Sequence, residues 1–221
     1  MMLAHPQLES VIDFSSPGVN TLIIENQDFF RNFLQDIRFQ LDGFSGKSVL
    51  SEKNVPLDWG KNCELLDSFL SFHLNRKPLL SKIASAMEST AMAEGHYQQT
   101  MAILSQIECY LDDLIFSSDC DVVCGDITVG TLLKSVGITL RDDYPDPLER
   151  LLDYMELVRC YERNKLFIFV NLRSYFPDDS VQRFLQTAID HQYTLLLVDA
   201  WEHPRLPEER RLIIDKDLCE I

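Results

Sequence analysis

Gly43-Phe44-Ser45-Gly46-Lys47-Ser48 has the residue types of a phosphate-binding loop. Leu195-Leu196-Leu197-Val198-Asp199 has those of the acidic strand that holds Mg²⁺ beside such a loop. Lys47 and Asp199 together would make a P-loop-type nucleotide-binding enzyme, but the spacing fails. The motif needs Gly-x-x-x-x-Gly-Lys-Ser/Thr, and the first glycine's position, counted back from Gly46, is Leu41. A phosphate loop also runs from a strand into a helix, whose N-terminal N–H groups face the anion. Here a helical pattern precedes Gly43 and an extended pattern follows Lys47. The strand-to-helix joint lies earlier, at Ile24-Glu25-Asn26-Gln27-Asp28, with no glycine and two carboxylates that would repel phosphate. Asp199 then reads as the polar end of a buried strand, and no nucleotide site is expected.

Other catalytic patterns are weaker still. Gly-x-Ser-x-Gly and His-Glu-x-x-His do not occur, and His5, His73, His96, His191 and His203 are scattered. Adjacent carboxylates such as Asp142-Asp143 do not face each other on a helix. Cys120 and Cys124 lack the second ligand pair that zinc requires. The densest hard-ligand group is acidic: Asp112, Asp113, Asp119, Asp121 and Asp126, with Glu108 nearby. Such oxygens suit Ca²⁺, although no EF-hand loop is present and a solvated acidic turn is the alternative. A non-enzymatic chain is expected.

The elements that must position these residues follow from periodicity. Val19–Ile24 is a short apolar, β-branched run behind the turn signal Ser15-Ser16-Pro17-Gly18. Asn26 is placed to cap a helix whose face is Phe29, Phe30, Phe33, Leu34, Ile37 and Leu41, with Gly43 to end it. Residues 47–59 read as a hairpin and Cys63–Asp67 as a short strand. From Pro78 to Ser118, apolar residues at helical spacing with a break at Gly95 predict a helix pair. Val122 to Leu140 predicts a short strand and a short helix, and Pro147 opens a further helix. Three strands then follow, at Lys165–Leu172, Thr194–Asp199 and Arg211–Asp215, with a helix behind Asp178-Asp179. Strand–helix alternation at both ends predicts an α/β fold with one parallel-rich sheet, interrupted by a helical excursion. The boundaries expected are 1–75 for the first part of an α/β head, 76–160 for the insertion and 161–221 for the second part.

Composition narrows the class. The chain has 221 residues, 46% of them hydrophobic, and a net charge of −15, which opposes indiscriminate binding to nucleic acid. No apolar run approaches the roughly 20 residues that span a bilayer. No secretory signal is visible, and six cysteines without a disulfide pattern suggest a reducing, cytoplasmic setting with no membrane association.

One resemblance spans nearly the whole length. Phe169-Val170-Asn171-Leu172-Arg173-Ser174-Tyr175-Phe176, the strand ending Val198-Asp199, and the tail Ile213-Ile214-Asp215-Lys216-Asp217-Leu218-Cys219-Glu220-Ile221 resemble the ring-forming spacer-acquisition protein of type II-A CRISPR systems. Leu22-Ile23-Ile24-Glu25-Asn26 and residues 67–77, with an Asn before the long helices, are similar too. The resemblance implies a P-loop-like sheet without a nucleotide site, and an inserted helical leg domain through which subunits close into a homotetramer. It implies a Ca²⁺-binding ring that takes up linear double-stranded DNA by its ends, without sequence preference, in adaptive antiviral defence. The integrase and effector proteins of the locus are the partners implied. An acidic chain can do this only if basic residues line the hole. Arg76, Lys77 and Lys82 at the start of the excursion, and Arg159, Arg163 and Lys165 at its end, are the candidates; ordinary solvated helix ends are the alternative. An acidic scaffold that binds only proteins is a third possibility.

Overall fold

Continuous apolar runs need a setting that covers both faces of the strand. In the computed structural model, which describes residues 1–16, 18–69 and 71–221, three such runs lie at the centre of one sheet. Two short strands, β1 (Met2–Ala4) and β2 (Ile12–Asp13), come first, then β3 (Val19–Ile24), buried throughout. Helix α1 (Gln27–Leu41) leads to β4 (Val49–Glu52), β5 (Val55–Pro56), the single turn α2 (Trp59–Asn62) and β6 (Cys63–Leu66). Three helices follow: α3 (Lys77–Ala91), α4 (Tyr97–Phe116) and α5 (Val129–Val136). The chain ends with α6 (Pro147–Tyr161), β7 (Leu166–Val170), α7 (Asp178–Asp190), β8 (Thr194–Asp199) and β9 (Glu209–Ile214).

The main sheet has five strands in the order β6-β7-β8-β3-β9, and all four pairings are parallel. Because β3 sits between β8 and β9, the sheet joins both ends of the chain. Alternate residues face opposite sides. Leu22, Ile24, Ile168, Leu196 and Val198 share a core with Phe29, Phe33 and Ile37 of α1. On the other face, Phe167 meets Tyr154 of α6 and Phe169 meets Phe184 of α7, both edge to face. Asn26 caps α1 by accepting from the Phe29 N–H at 3.0 Å, and Gly43 follows at φ +88°, a left-handed geometry glycine tolerates.

A second, antiparallel sheet has the order β2-β1-β4-β5. The expected hairpin is β4–β5, turned by Lys53 and Asn54 at φ 49° and 62°. β1 and β2 were not anticipated, since runs of three and two residues carry no periodicity.

The chain divides into two compact units, Met1–Phe72 with Asp143–Ile221, and His73–Asp142. The second unit is shorter than the 76–160 excursion expected. Helix α6 belongs to the first, because its face of Leu151, Tyr154, Met155 and Val158 is buried there. Within the second unit, Asn75 clasps Leu140, donating to its carbonyl at 3.0 Å and accepting from its N–H at 2.7 Å. The strand expected near Val122 does not form; Val123 is 89% exposed and no strand among the described residues pairs with it. No helix among the described residues is long and apolar enough to cross a membrane.

Candidate functional site

At the failed phosphate loop, the backbone N–H groups already hold an anion of the chain's own. Asp36, two-thirds of the way along α1, accepts from the Lys47 N–H at 2.6 Å and the Ser48 N–H at 2.7 Å, one on each carboxylate oxygen. Burial works to raise the Asp36 pKa, but the hydrogen bonds from Ser48 and Lys47 outweigh it, and the group lies below its ordinary 3.8. Gly46 permits the approach: a Cβ there would stand 2.5 Å from Asp36 Oδ1 and from the Gln40 side chain. The glycine therefore makes room for a carboxylate rather than a phosphate.

The loop is also at the wrong end of the sheet. α1 starts at the carboxyl end of β3 and runs 15 residues back, about 22 Å at the usual helical rise. Lys47 comes after that helix, whereas Asp199 closes β8 at the carboxyl end of the central strands, in register with Ile23. The sequence brings Lys47 and Asp199 to opposite ends of the fold.

Asp199 is buried, and burial pushes its pKa up to about 7, against the pull of Arg173 and with a further push from Glu209. Its Oδ1 has no hydrogen-bond partner among the described residues, nor does Thr21 Oγ1 on the neighbouring strand. Beside it lies an ion network. Arg173 holds Asp178 at 2.6 Å and Glu209 at 3.2 Å, and Arg211 holds Glu209 at 2.6 Å and Glu202 at 3.2 Å. The Glu209 carboxylate accepts from the Leu206 N–H, and Arg211 donates to the carbonyls of His203 and Pro204. Asn171, at φ 52°, accepts from the Ala200 N–H at 2.9 Å. These side chains strap the connection 200–208 onto the sheet. The run Asn171-Leu172-Arg173 is thus structural in its contacts, and sequence reasoning did not foresee the network because its partners are dispersed.

The basic candidates fare differently. Arg76, Lys77 and Lys82 are exposed at the start of α3 in the second unit, and Arg163 is exposed in the first. Arg159 is also exposed, but it pairs with Glu156, donates to the His191 carbonyl at 3.0 Å and lies 5.0 Å over the Tyr193 ring. Lys165 needs correction as a DNA contact. It is 6% exposed and bonded to Glu64 at 2.7 Å and Glu162 at 2.5 Å. Burial disfavours its charge, yet those carboxylates overcome that and raise its pKa. Its ammonium is spent on the entry to β7, not offered to a phosphate.

The acidic candidates are not gathered. Asp112 and Asp113 are successive residues on α4, while Asp119, Asp121 and Asp126 lie in the irregular stretch after it; all five are exposed. Among the described residues no group of three or more His, Cys, Asp or Glu is placed to hold a metal ion. As a set within one chain they do not fit a calcium ion.

Two features went unforeseen. Helix α4 buries only Leu104, leaving Met101, Ile103, Tyr110, Leu114 and Phe116 exposed; its apolar residues circling the helix were the available signal. The other is a cleft at the carboxyl ends of β3 and β8, where Glu25, Trp201 and Lys216 meet. A protein-family model described as "CRISPR-associated protein (Cas_Csn2)" matches residues 40–218, from the last turn of α1 into the tail beyond β9.

Proposed function

Because the chain belongs to the Cas_Csn2 family of CRISPR-associated proteins, the adaptation proteins of type II-A systems, we propose that it is a non-enzymatic, homotetrameric ring that binds the ends of linear double-stranded DNA during spacer acquisition. The family match over residues 40–218 carries the reading. The parallel sheet would be a P-loop-like head without the phosphate loop that holds a nucleoside triphosphate, in keeping with Asp36 filling the Lys47 and Ser48 amides. The unit His73–Asp142 would be the helical leg. Exposed Ile103, Tyr110 and Leu114, which share one face of α4 at helical spacing, support burial against further copies, since contiguous apolar surface on a monomer commonly marks an interface.

The proposed phosphate contacts are Arg76, Lys77, Lys82, Arg159 and Arg163, and the proposed partners are the integrase and effector proteins of the locus. Calcium dependence is a separate part of the proposal. Among the described residues the five carboxylates do not converge in one chain, so any shared ion would have to draw on more than one subunit.

A gel-shift series with linear and closed circular duplexes tests the reading. Linear DNA is expected to bind, circles are not, and affinity should fall steeply with salt as counterions are released. Equal binding to circles, or none to linear DNA with Ca²⁺ present, defeats end recognition. Mass in solution with and without Ca²⁺ tests assembly; a monomer under both conditions removes the ring.

A further inference from the structure

In open parallel sheets, ligands bind in the crevice outside the carboxyl ends of the strands, where the strand order reverses. In this chain that crevice lies between β3 and β8, and it is a cavity of about 350 Å³. Its walls are Glu25 and Phe30 from the start of α1, Ala200 and Trp201 just beyond β8, and Lys216 just beyond β9. The frame is fixed from three sides. The Glu25 N–H donates to the Ile214 carbonyl at 2.9 Å, Asn26 Nδ2 donates to the Lys216 carbonyl at 2.9 Å, and Asn171 holds the Ala200 N–H.

Glu25, Trp201 and Lys216 supply the polar and aromatic lining within this frame. Trp201 is 49% exposed and touches His203 with its ring, 5.9 Å between centroids. Among the described residues, neither the Glu25 carboxylate nor the Lys216 ammonium takes part in an ion pair. A half-exposed indole, an acceptor-only carboxylate and a cation around one cleft make a specific demand. The ligand must have a flat π-face, a hydrogen-bond donor on its edge, and an anion a short distance away. A larger cavity of about 400 Å³, at the opposite ends of the same strands, is lined by Ser15, Ser16, Gln192 and Tyr193 and has no charged side chain to orient a ligand.

The geometry points to a binding site for a single unstacked nucleotide whose base carries an exocyclic amine, cytosine above all. The base stacks on Trp201, its amine donates to Glu25, and its phosphate pairs with Lys216. Stacking on an aromatic side chain is how unpaired bases are held without regard to sequence. A carboxylate accepting from cytosine N4 is a recognised base contact, which thymine, with a carbonyl there, cannot supply. Phosphate is directed to Lys216, a cation lining the cleft, because Glu25 would repel it at the start of α1. The nucleotide can be free or the unpaired terminus of a DNA strand; only the second source rests on the function proposed above.

Tryptophan fluorescence reads the site directly. The chain has two tryptophans, and Trp59 is 5% exposed whereas Trp201 is 49%. Deoxycytidine monophosphate is expected to quench the intact protein saturably, about tenfold more tightly than thymidine monophosphate. Glu25→Ala should erase that preference, and Trp201→Phe should erase the quenching, with melting temperatures held near wild type. No saturable quenching, or an unchanged preference in Glu25→Ala, overturns the site. A duplex with a short cytosine overhang, compared with its blunt counterpart, separates the sources. Tighter binding and quenching by the overhang assigns the site to DNA ends, and a response to the mononucleotide alone assigns it to free nucleotides. If blunt and overhanging DNA bind equally in wild type and Trp201→Phe and the mononucleotide gives no response, the site fails while the DNA reading stands. If no DNA binds but the mononucleotide does, the DNA reading fails and the site stands.

Discussion

Replacing Asp36 with alanine removes the acceptor shared by two backbone N–H groups of the Gly46–Ser48 segment. The hydrogen bonds are short, 2.6 Å to Lys47 N and 2.7 Å to Ser48 N, and a third comes from Gln40 Nε2 at 3.1 Å. Their contributions are unequal. Lys47 is exposed, so its N–H returns to water at little cost. Ser48 is 2% exposed, and a buried N–H left without an acceptor costs about 1–3 kcal/mol. Adding part of the carboxylate's own hydrogen-bond energy, discounted for its partial exposure, gives about 2 kcal/mol for Asp36→Ala. For a chain of this size that lowers the melting temperature by about 4–8 °C.

The pH dependence makes the test specific. Asp36 has a folded-state pKa below its ordinary 3.8, so its stabilisation is present above that value and is lost as pH falls through the folded one. Urea midpoints of wild type and Asp36→Ala should therefore differ most near neutral pH and converge in acid. Equal midpoints near neutrality refute the reasoning, as does a gap undiminished at about pH 3.

Gly46→Ala should destabilise by about 1–3 kcal/mol through overpacking, because its Cβ would lie 2.5 Å from Asp36 and Gln40 atoms; a urea midpoint reads this. Arg173→Met leaves Glu209, 2% exposed, with Arg211 as its remaining cation, and a cost of about 3 kcal/mol is expected in thermal unfolding. Asp199 has the opposite sign to Asp36. Its pKa is raised from 3.8 to about 7, so the neutral carboxyl's advantage is full below the first value and lost as pH rises through the second. Asp199→Asn should remove that slope and be at least as stable as wild type above neutrality; a variant less stable there, with the slope intact, would contradict the assignment.

What the sequence made legible follows the range over which each interaction acts. β3, β7 and β8 were readable because burial on both faces writes a continuous apolar run, and α1 because its cap, stripe and terminating glycine are local. The same rule misread Val122–Cys124, where an apolar triplet has no neighbouring strand to pair with. It misread Lys165 as well. A lysine at a strand entry looks solvated until Glu64, 101 residues away, is seen to bond it. The phosphate motif fails on spacing and on its helix-before, strand-after context, while the role its amides do play lies with Asp36, which no motif rule joins to Lys47 and Ser48 across 11 and 12 residues. The residues that carried the family likeness behave alike. Asn75 ties to Leu140, Asn171 to Ala200, Arg173 to Glu209 and Glu220 to the Glu9 and Ser10 N–H groups. Each is a polar side chain joining segments distant in sequence, so none announces its role through periodicity or spacing. Likeness at such residues therefore marks the fold rather than a site, and the DNA and metal candidates, which rest on local charge alone, have no comparable constraint behind them.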